Sequence, residues 1–406
     1  MNRLLDVIID KKTWPKRGKP AFPASFRAGT SQDNLNIPAM LWMIGYLTTP
    51  TSSTGVSLSE FWAWVRYFAA LTGDDDIRLT SSFADLDAHQ KTILSDDFGM
   101  GVPMLWLSEK LSLVHIVDGR YFLQKFSAST GATQLRTSKR GPNKTPDFVA
   151  RDSKGNWHVI ECKGTQSGDE YRDQQLGKKG PPATGGVAQK NSIIFPARHT
   201  GQRLACGLRI GIEDQIGSQL KIVDPEPEDP IEISTKQLPF AFDSATRGVM
   251  SKYLRMAGLE ISAEAMASPL GYRPDAVYRK GRTAERERQE MVSERDDRAK
   301  EELRNSNKYI SIMNRQFRGQ ERIFDLPREI YVDSKKINRI IVRQGINADF
   351  IGELSRRPTF DELIQEEKPE LSELIGRSIV ESDVLSSQIK IGDIFKAELI
   401  LEQNRR

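Results

Sequence analysis

The spacing of apolar and polar positions predicts helices in the first part of the chain. Residues 37–47 form an almost unbroken apolar run, which suits a buried helix. A second helix is predicted at 60–71, with Ser57 or Ser59 as its N-terminal cap. The region 1–98 is therefore expected to be mainly helical.

The second predicted helix is rich in aromatic side chains, which have two possible explanations. A packed helical core is the simpler one. The alternative is a platform on which nucleic-acid bases stack, but Arg66 is the one cation interleaved with the rings. The aromatic residues are Phe61, Trp62, Trp64, Tyr67 and Phe68. Because a stacking platform usually also carries cations, the core explanation is favoured.

Beyond residue 98 the pattern changes to short apolar strands, which define a central region at 99–228. Pro103 suits the first turn of a helix that ends near Leu113. Strands are predicted at 147–151, 157–163, 203–213 and 219–223. In the third of these strands, alternate residues are apolar, as expected for a strand with one buried face. The mixture of helices and strands predicts an α/β domain.

An acidic, proline-rich stretch at 224–230 is the best candidate for a linker. The elements predicted after it are a helix at 243–257, a strand at 337–342 and a mainly helical segment at 359–404. The stretch at 279–304 is mostly charged, with both signs interleaved, so we expect it to be a solvated helix or a coiled segment. The region 229–406 is thus expected to be mixed and mainly helical.

Composition limits the chemistry that the chain can perform. The net charge is only +4 over 406 residues, so any nucleic-acid-binding surface must be local. Cys162 and Cys206 are far apart in sequence and the four histidines are scattered, which excludes a disulfide framework and the common zinc spacings. The N terminus lacks the apolar core of a signal peptide, and the longest apolar run is about half a bilayer span. We therefore expect a cytoplasmic protein with no membrane partner.

The most informative segment is 145–165, which has the pattern of a β-hairpin. Two apolar-rich strands flank a Ser-Lys-Gly-Asn turn. Because side chains alternate along a strand, Glu161 and Lys163 project from the same face. Pairing across the hairpin would bring Asp147 beside Glu161. The sequence therefore predicts two carboxylates and one ammonium group in a single cluster.

This cluster has the chemistry required for phosphodiester hydrolysis. Two converging carboxylates offer hard oxygen ligands, which suit Mg²⁺, with Mn²⁺ as a substitute, rather than zinc. A lysine beside them can orient the attacking water and neutralise charge on the phosphoryl oxygens. The alternative is structural: Asp147 would be a turn residue, and Glu161 and Lys163 an exposed edge pair. A Pro-Asp opening one strand, with Glu-x-Lys closing the next, favours the catalytic interpretation.

The residues Pro146-Asp147 and Glu161-Cys162-Lys163 resemble the signature of the PD-(D/E)xK nuclease superfamily. The resemblance covers roughly residues 100–225. It implies a restriction-endonuclease-like fold, in which helices flank a central mixed sheet. It also implies a metal-dependent nuclease in which Asp147 and Glu161 bind the metal and Lys163 takes part in catalysis.

The resemblance also implies residues outside the hairpin. In that superfamily a helix before the first strand often donates a further glutamate, and Glu109 fits this place as a metal ligand. A solvent-edge glutamate beside Lys110 is the alternative. A polar residue, often glutamine, follows the lysine strand, so Gln189 is the candidate catalytic residue here, with Lys190 as its neighbour. The glycine-rich interruption at 180–186 departs from the expected helix and puts this assignment in doubt.

Basic residues lie on both sides of the predicted cluster. They form a cationic loop that suits a polyanionic substrate, although a charged run of this kind is also common in a solvated loop. The candidate nucleic-acid-binding residues are Arg136, Lys139, Arg140, Lys144, Lys178, Lys179 and Lys190.

The function expected from these features is hydrolysis of phosphodiester bonds by a DNA endonuclease, with double-stranded DNA as the partner. By analogy with the superfamily, bacterial restriction or anti-phage defence is the expected role. Three alternatives remain open: a catalytically silent nucleic-acid-binding protein, a nuclease acting on RNA, and a scaffold whose functional centre is the C-terminal region. The sequence leaves open a homo-oligomer or a partner subunit.

Overall fold

The computed structural model shows two compact units. The first comprises Met1–Thr49, Leu58–Arg120 and Thr137–Thr235, and the second comprises Pro50–Ser57, Tyr121–Arg136 and Lys236–Arg406. The structure describes residues 2–16, 20–49, 51, 63, 66–130, 145–177, 185–186, 193–224, 231–268, 282–305, 309–312, 315–332, 334–357, 359–364, 378–383 and 385–403. The N-terminal and central regions of the sequence thus contribute to the same unit.

The first unit is built on a seven-stranded mixed sheet. The strands of this unit are β1 (Asn2–Ile9), β2 (Gly29–Asn36), β3 (Arg78–Leu79), β4 (Leu113–Asp118), β5 (Phe148–Asp152), β6 (Trp157–Thr165), β7 (Ile193–Ile194), β8 (Thr200–Arg209), β9 (Gly211–Ile212), β10 (Gln219–Val223) and β11 (Ile231–Glu232). The order in the large sheet is β2-β1-β10-β8-β6-β5-β4, whereas β3 pairs with β9 and β7 pairs with β11.

Helices flank the large sheet. The helices up to residue 176 are α1 (Ile37–Thr48), α2 (Ser81–Ala84), α3 (Ala88–Leu111), α4 (Gly119–Thr130) and α5 (Asp169–Leu176), of which α1, α3 and α5 contact strands of this sheet. Helix α4 begins at the end of the first unit and belongs to the second from Tyr121 onward. The fold class is therefore mixed α/β, with a large mixed sheet flanked by helices.

The expectation of a mainly helical N-terminal region is wrong for its first residues. Strand β1 pairs in parallel with β10 and antiparallel with β2, so it extends the central sheet. Its alternating burial shows why: the apolar residues of one face reach the core only when the segment is extended. Helix α1 is confirmed, and the side chain of Asn36 caps it by accepting a hydrogen bond from the Ala39 N–H. Most of the predicted helix at 60–71 lies outside the described residues.

The prediction for Pro103 is also wrong, because this proline lies well inside α3. The helix begins earlier, where the Asp87 carboxylate caps the N–H groups of His89 and Gln90. It ends at Ser112, whose φ of 53° is left-handed. A proline removes one N–H from the helical ladder. Burial of the surrounding apolar side chains, including Leu105, holds the helix together.

The second unit contains a six-stranded antiparallel sheet in the order β12-β13-β14-β17-β16-β15. The strands are β12 (Tyr309–Ile312), β13 (Arg315–Val332), β14 (Lys335–Asn347), β15 (Ser378–Ser382), β16 (Ser386–Ile391) and β17 (Phe395–Glu402). The further helices are α6 (Leu238–Met256), α7 (Glu260–Ala267), α8 (Arg282–Asn305) and α9 (Ala348–Arg356). The helix predicted at 243–257 and the strand predicted at 337–342 are confirmed, and most of the stretch at 279–304 is helical, as α8.

The prediction that 359–404 is mainly helical is wrong, since β15, β16 and β17 occupy much of it. Each of the last two strands pairs along its whole length with a neighbouring strand. Short segments of mixed apolar and polar residues fit either a helix or a strand, and pairing with neighbours decides between them. The pairing of β17 with β14 joins segments about fifty residues or more apart and cannot be seen in the local pattern.

The core of the second unit contains charged groups that hydrogen-bond within it. Arg247 and Asp243 are one turn apart on α6, are both completely buried, and form an ion pair of 2.8 Å. Arg247 also donates hydrogen bonds to the carbonyl oxygens of Phe360 and Glu362. Lys125 on α4 donates to the carbonyl oxygen of Ser268 at 2.8 Å. Segments distant in sequence are thus joined by buried polar contacts.

Across the described residues, no helix combines the length and the apolar character needed to cross a membrane.

Candidate active site

Pairing of β5 with β6 brings the two predicted carboxylates together. Phe148 is opposite Ile160 in the register, so Asp147 comes next to Glu161. The N–H of Asp147 donates to Glu161 Oε2 at 3.1 Å, and the N–H of Cys162 donates to Asp147 Oδ2 at 2.8 Å. The backbone of each strand therefore holds the carboxylate of the other.

Lys163 completes the cluster on the same strand. Its Nζ lies 2.5 Å from Glu161 Oε1, and its side chain is 24% exposed whereas that of Glu161 is 0% exposed. The alternative of an exposed edge pair does not describe these residues, because β6 lies between β5 and β8 in the sheet. Placing a charged pair in the interior of a sheet costs desolvation free energy.

The electrostatics of the cluster follow from its burial. Burial and the neighbouring Asp147 carboxylate raise the pKa of Glu161 to about 8, against the opposing charge of Lys163. Burial also raises the pKa of Asp147, although Lys163 and the Cys162 N–H act in the opposite direction. For Lys163, burial lowers the pKa, but Glu161 and Asp147 outweigh it, so the net shift is upward. Perturbed groups of this kind cluster at functional sites.

Helix α3 reaches the cluster through a very close approach of two glycines. A Cβ added to Gly99 would lie 2.5 Å from the Gly164 nitrogen, and one added to Gly164 would lie 1.8 Å from the Ser95 carbonyl oxygen. The helix backbone is therefore pressed against the end of β6, next to Lys163. Only residues without a side chain allow this contact.

The same close approach places Asp96 near Lys163. The side chain of Asp96 is largely exposed, yet partial burial raises its pKa, and the charge of Lys163 opposes that shift. Asp118, at the end of β4, is also close enough for its charge to raise the pKa of Asp147. The sequence interpretation missed both residues. An acidic pair, Asp96-Asp97, inside an otherwise apolar helical segment was the available signal for the first.

Glu109 is placed away from the cluster. It lies ten residues after Gly99 on α3, which is about 15 Å of helix, and it is exposed. Helix α3 leads into Leu113, which pairs with Asp152, whereas the Asp147 end of the hairpin is next to Asp118. Glu109 is therefore near the opposite end of β4, and the structure does not bring it to the predicted metal ligands.

The remaining candidate residues lie outside the described part of the chain. They are Gln189, Arg136, Lys139, Arg140, Lys144, Lys178, Lys179 and Lys190. The structure therefore adds nothing to their assignment, which still rests on the sequence.

The donor atoms of the cluster are of the type that Mg²⁺ uses. Asp147 and Glu161 supply carboxylate oxygens whose charges repel each other, and a divalent cation relieves such repulsion. Among the described residues, no group of three or more His, Cys, Asp and Glu side chains is arranged to hold a metal ion. Asp147 and Glu161 are the residues of the cluster that could hold a divalent cation.

No family model matches the chain, and no curated protein or solved structure matches it either.

Proposed function

We propose that this protein is a Mg²⁺-dependent nuclease that hydrolyses phosphodiester bonds, with Asp147, Glu161 and Lys163 as its active site. The observation that carries the proposal is the buried contact of Glu161 with both Asp147 and Lys163. A structural role alone does not account for a buried and a half-buried carboxylate, both with raised pKa values, because burying each costs folding free energy. The residue types are those of the PD-(D/E)xK signature.

The arrangement of elements supports a restriction-endonuclease-like core. Helix α3 precedes β4, the strands β4, β5 and β6 run antiparallel in turn, and β8 pairs in parallel with the lysine strand. Helix α5 follows that strand. The resemblance implies a helix in both of these positions, one before the first strand and one after the lysine strand.

Each residue has a distinct part in the proposed reaction. Asp147 and Glu161 would hold Mg²⁺, which when bound polarises a phosphoryl oxygen and lowers the pKa of water. Lys163 Nζ, which is partly exposed, orients the attacking water and stabilises the negative charge that develops on the phosphoryl oxygens. Burial of Glu161 excludes bulk water from one side of the cluster and strengthens these charge interactions.

The same resemblance suggests DNA as the substrate and restriction or anti-phage defence as the role. The alternative substrate is RNA, because the chemistry at phosphorus does not involve the 2′-hydroxyl. The non-enzymatic alternative is a nucleic-acid-binding protein without catalytic activity, or a scaffold. The complete Asp, Glu and Lys set favours an active enzyme.

Cleavage of plasmid DNA by the purified protein tests the proposal. We expect cleavage with Mg²⁺ or Mn²⁺, none with EDTA, and none by the Lys163→Ala variant. The Lys110→Ala variant is the matched control, since Lys110 pairs with Asp33 away from the cluster and should cut at the wild-type rate. A parallel assay on RNA of the same sequence separates the two substrates. Equal cleavage by wild type and Lys163→Ala would rule out the proposed site.

A further inference from the structure

The glycine-rich interruption at 180–186 includes one residue, Gly186, that the structure places beside Glu161. Gly186 is buried, and a Cβ added to it would lie 3.4 Å from Glu161 Cγ and 3.6 Å from Ala205 Cβ. In the register of β6 and β8, Glu161 and Ala205 are partners. Their side chains therefore lie side by side on one face of the sheet, and Gly186 lies over both.

The neighbouring residue, Gly185, fixes how closely this segment approaches the sheet. Its φ is +62°, and an added Cβ would lie 2.4 Å from the Gln175 carbonyl oxygen and 2.9 Å from the Gly177 nitrogen. Glycine is the residue that accepts such a conformation without strain. The segment is thus held against the end of α5, and this contact sets its distance from Glu161.

Small residues on the sheet make room for this arrangement. Gly207, two residues after Ala205 on β8, is approached by the side chains of Arg172 and Leu176 from α5, within 2.9 Å of where its Cβ would be. Helix α5 therefore packs close to β8. As a result, the segment that follows the helix can reach the Glu161 side chain.

We propose that the Gly185–Gly186 segment is a positioning element of the active site. It fills the space beside the Glu161 methylene groups, so that the carboxylate stays directed toward Asp147 and Lys163. Gly186 is the positioning residue, because a larger side chain at this point would displace Glu161. The inference rests on the proposed nuclease function.

Two substitutions of different size at Gly186 test the inference. Alanine would make ordinary van der Waals contact at 3.4 Å, so Gly186→Ala should keep near wild-type cleavage. The additional methyl groups in Gly186→Val should push the Glu161 side chain aside. We expect Mn²⁺ affinity, measured by calorimetry, to fall about tenfold and kcat to fall about 100-fold, as for a misplacement of roughly 1 Å. KM for DNA should change little, because Glu161 does not bind the distant parts of the substrate.

Two controls separate positioning from a general loss of stability. Gly73→Val is the matched control, because no atom lies within 4 Å of a Cβ at Gly73, and it should leave Mn²⁺ affinity and kcat unchanged. Adding Ala205→Gly to Gly186→Val creates space beside Glu161 and should recover part of the Mn²⁺ affinity. A general loss of stability would not be reversed by removing another buried methyl group.

The outcomes distinguish this inference from the proposed function. Wild-type Mn²⁺ affinity and kcat in folded Gly186→Val would overturn the inference and leave the nuclease proposal intact. A loss of activity in Gly186→Val that Ala205→Gly does not restore, with Mn²⁺ affinity unchanged, would also overturn it. If the wild-type protein neither binds Mn²⁺ nor cleaves nucleic acid, the proposed function and the inference fail together.

Discussion

At the scale of single residues, the behaviour of the site depends on the burial of Glu161. A carboxyl group with no exposed surface keeps its proton to a higher pH than one in water. Its partners are Lys163 and the Asp147 N–H, and both favour the ionised form. The balance between burial and these partners sets the pH range in which Glu161 is ionised.

Thermal unfolding of the metal-free protein should depend on this group. The pKa of Glu161 is raised from 4.5 to about 8 in the folded state. Folding therefore favours the protonated form of Glu161. The resulting contribution to the free energy of unfolding is fully present below about pH 4.5. It should be lost as the pH rises to about 8, at no more than about 1.4 kcal/mol per pH unit. Glu161→Gln, which stays neutral, should unfold at a higher temperature than wild type near pH 8.

Calorimetric melting curves at several pH values measure this effect, with Glu287→Gln, an exposed position, as the control. Adding Mg²⁺ should stabilise the wild type but not Glu161→Gln, because the ionised carboxylate binds the metal. Parallel melting profiles for wild type and Glu161→Gln over the whole range would contradict the buried, raised-pKa description of Glu161.

The second carboxylate gives a different prediction. Asp147→Asn keeps the side-chain shape but removes one negative charge, so it should weaken Mn²⁺ affinity and stop cleavage. DNA binding without metal should be retained or become tighter, because repulsion between carboxylate and phosphate is reduced. Calorimetry with Mn²⁺ and a metal-free DNA-binding assay measure the two effects. Loss of DNA binding together with activity would mean that Asp147 is structural.

At the scale of secondary-structure elements, the placement of α3 decides which acidic residue can assist the cluster. The contact of Gly99 with Gly164 presents the N-terminal half of the helix to Lys163. The residue that faces the site is consequently Asp96, whereas Glu109 lies on the other side of this contact, toward β4.

A pair of substitutions on α3 tests this placement. Asp96→Asn should lower cleavage about tenfold or more, because a charge that interacts with Lys163 is lost beside the reacting phosphate. Glu109→Gln should leave cleavage within about twofold of wild type, since surface substitutions away from a site have small effects. Initial rates at saturating Mg²⁺ provide the comparison. If Glu109→Gln lowered cleavage and Asp96→Asn did not, Glu109 would again be the candidate metal ligand on α3.

At the scale of the whole molecule, the division into two units does not follow a single cut in the sequence. Residues of α4 precede the strand that carries Lys163, yet from Tyr121 they belong to the second unit. Phe122 is completely buried and Lys125 is almost so, with Lys125 bonded to Ser268.

A chain truncated after Thr235 should therefore aggregate rather than behave as an isolated nuclease. Removing the second unit exposes the buried side chains of α4, and each large apolar side chain left in water costs roughly 1.5–3 kcal/mol. Size-exclusion chromatography and thermal melting of the truncated chain measure this. A monodisperse fragment that cleaves DNA would show that the first unit folds without residues 236–406 covering the side chains of α4.

The sequence alone determined the local features of the site. The pattern from Pro146 to Lys163 predicted a hairpin with Glu161 and Lys163 on one face, because alternation along a strand is a property of the backbone. The helix at 37–47 and the strand at 219–223 were also found, because an apolar run is a local feature of the sequence. The composition also placed any nucleic-acid contact in a local cluster.

Only the tertiary structure decided which distant residues meet. The pairing of β1 with β10, the contact of Gly99 with Gly164 and the position of Gly186 over Glu161 join segments far apart in sequence. Cys162 and Cys206 became neighbours across β6 and β8 in the same way. Such contacts depend on strand order and on the closeness of backbone packing, which leave no periodic signal along the chain. The local pattern therefore identified the reactive groups, and the fold determined which residues surround them.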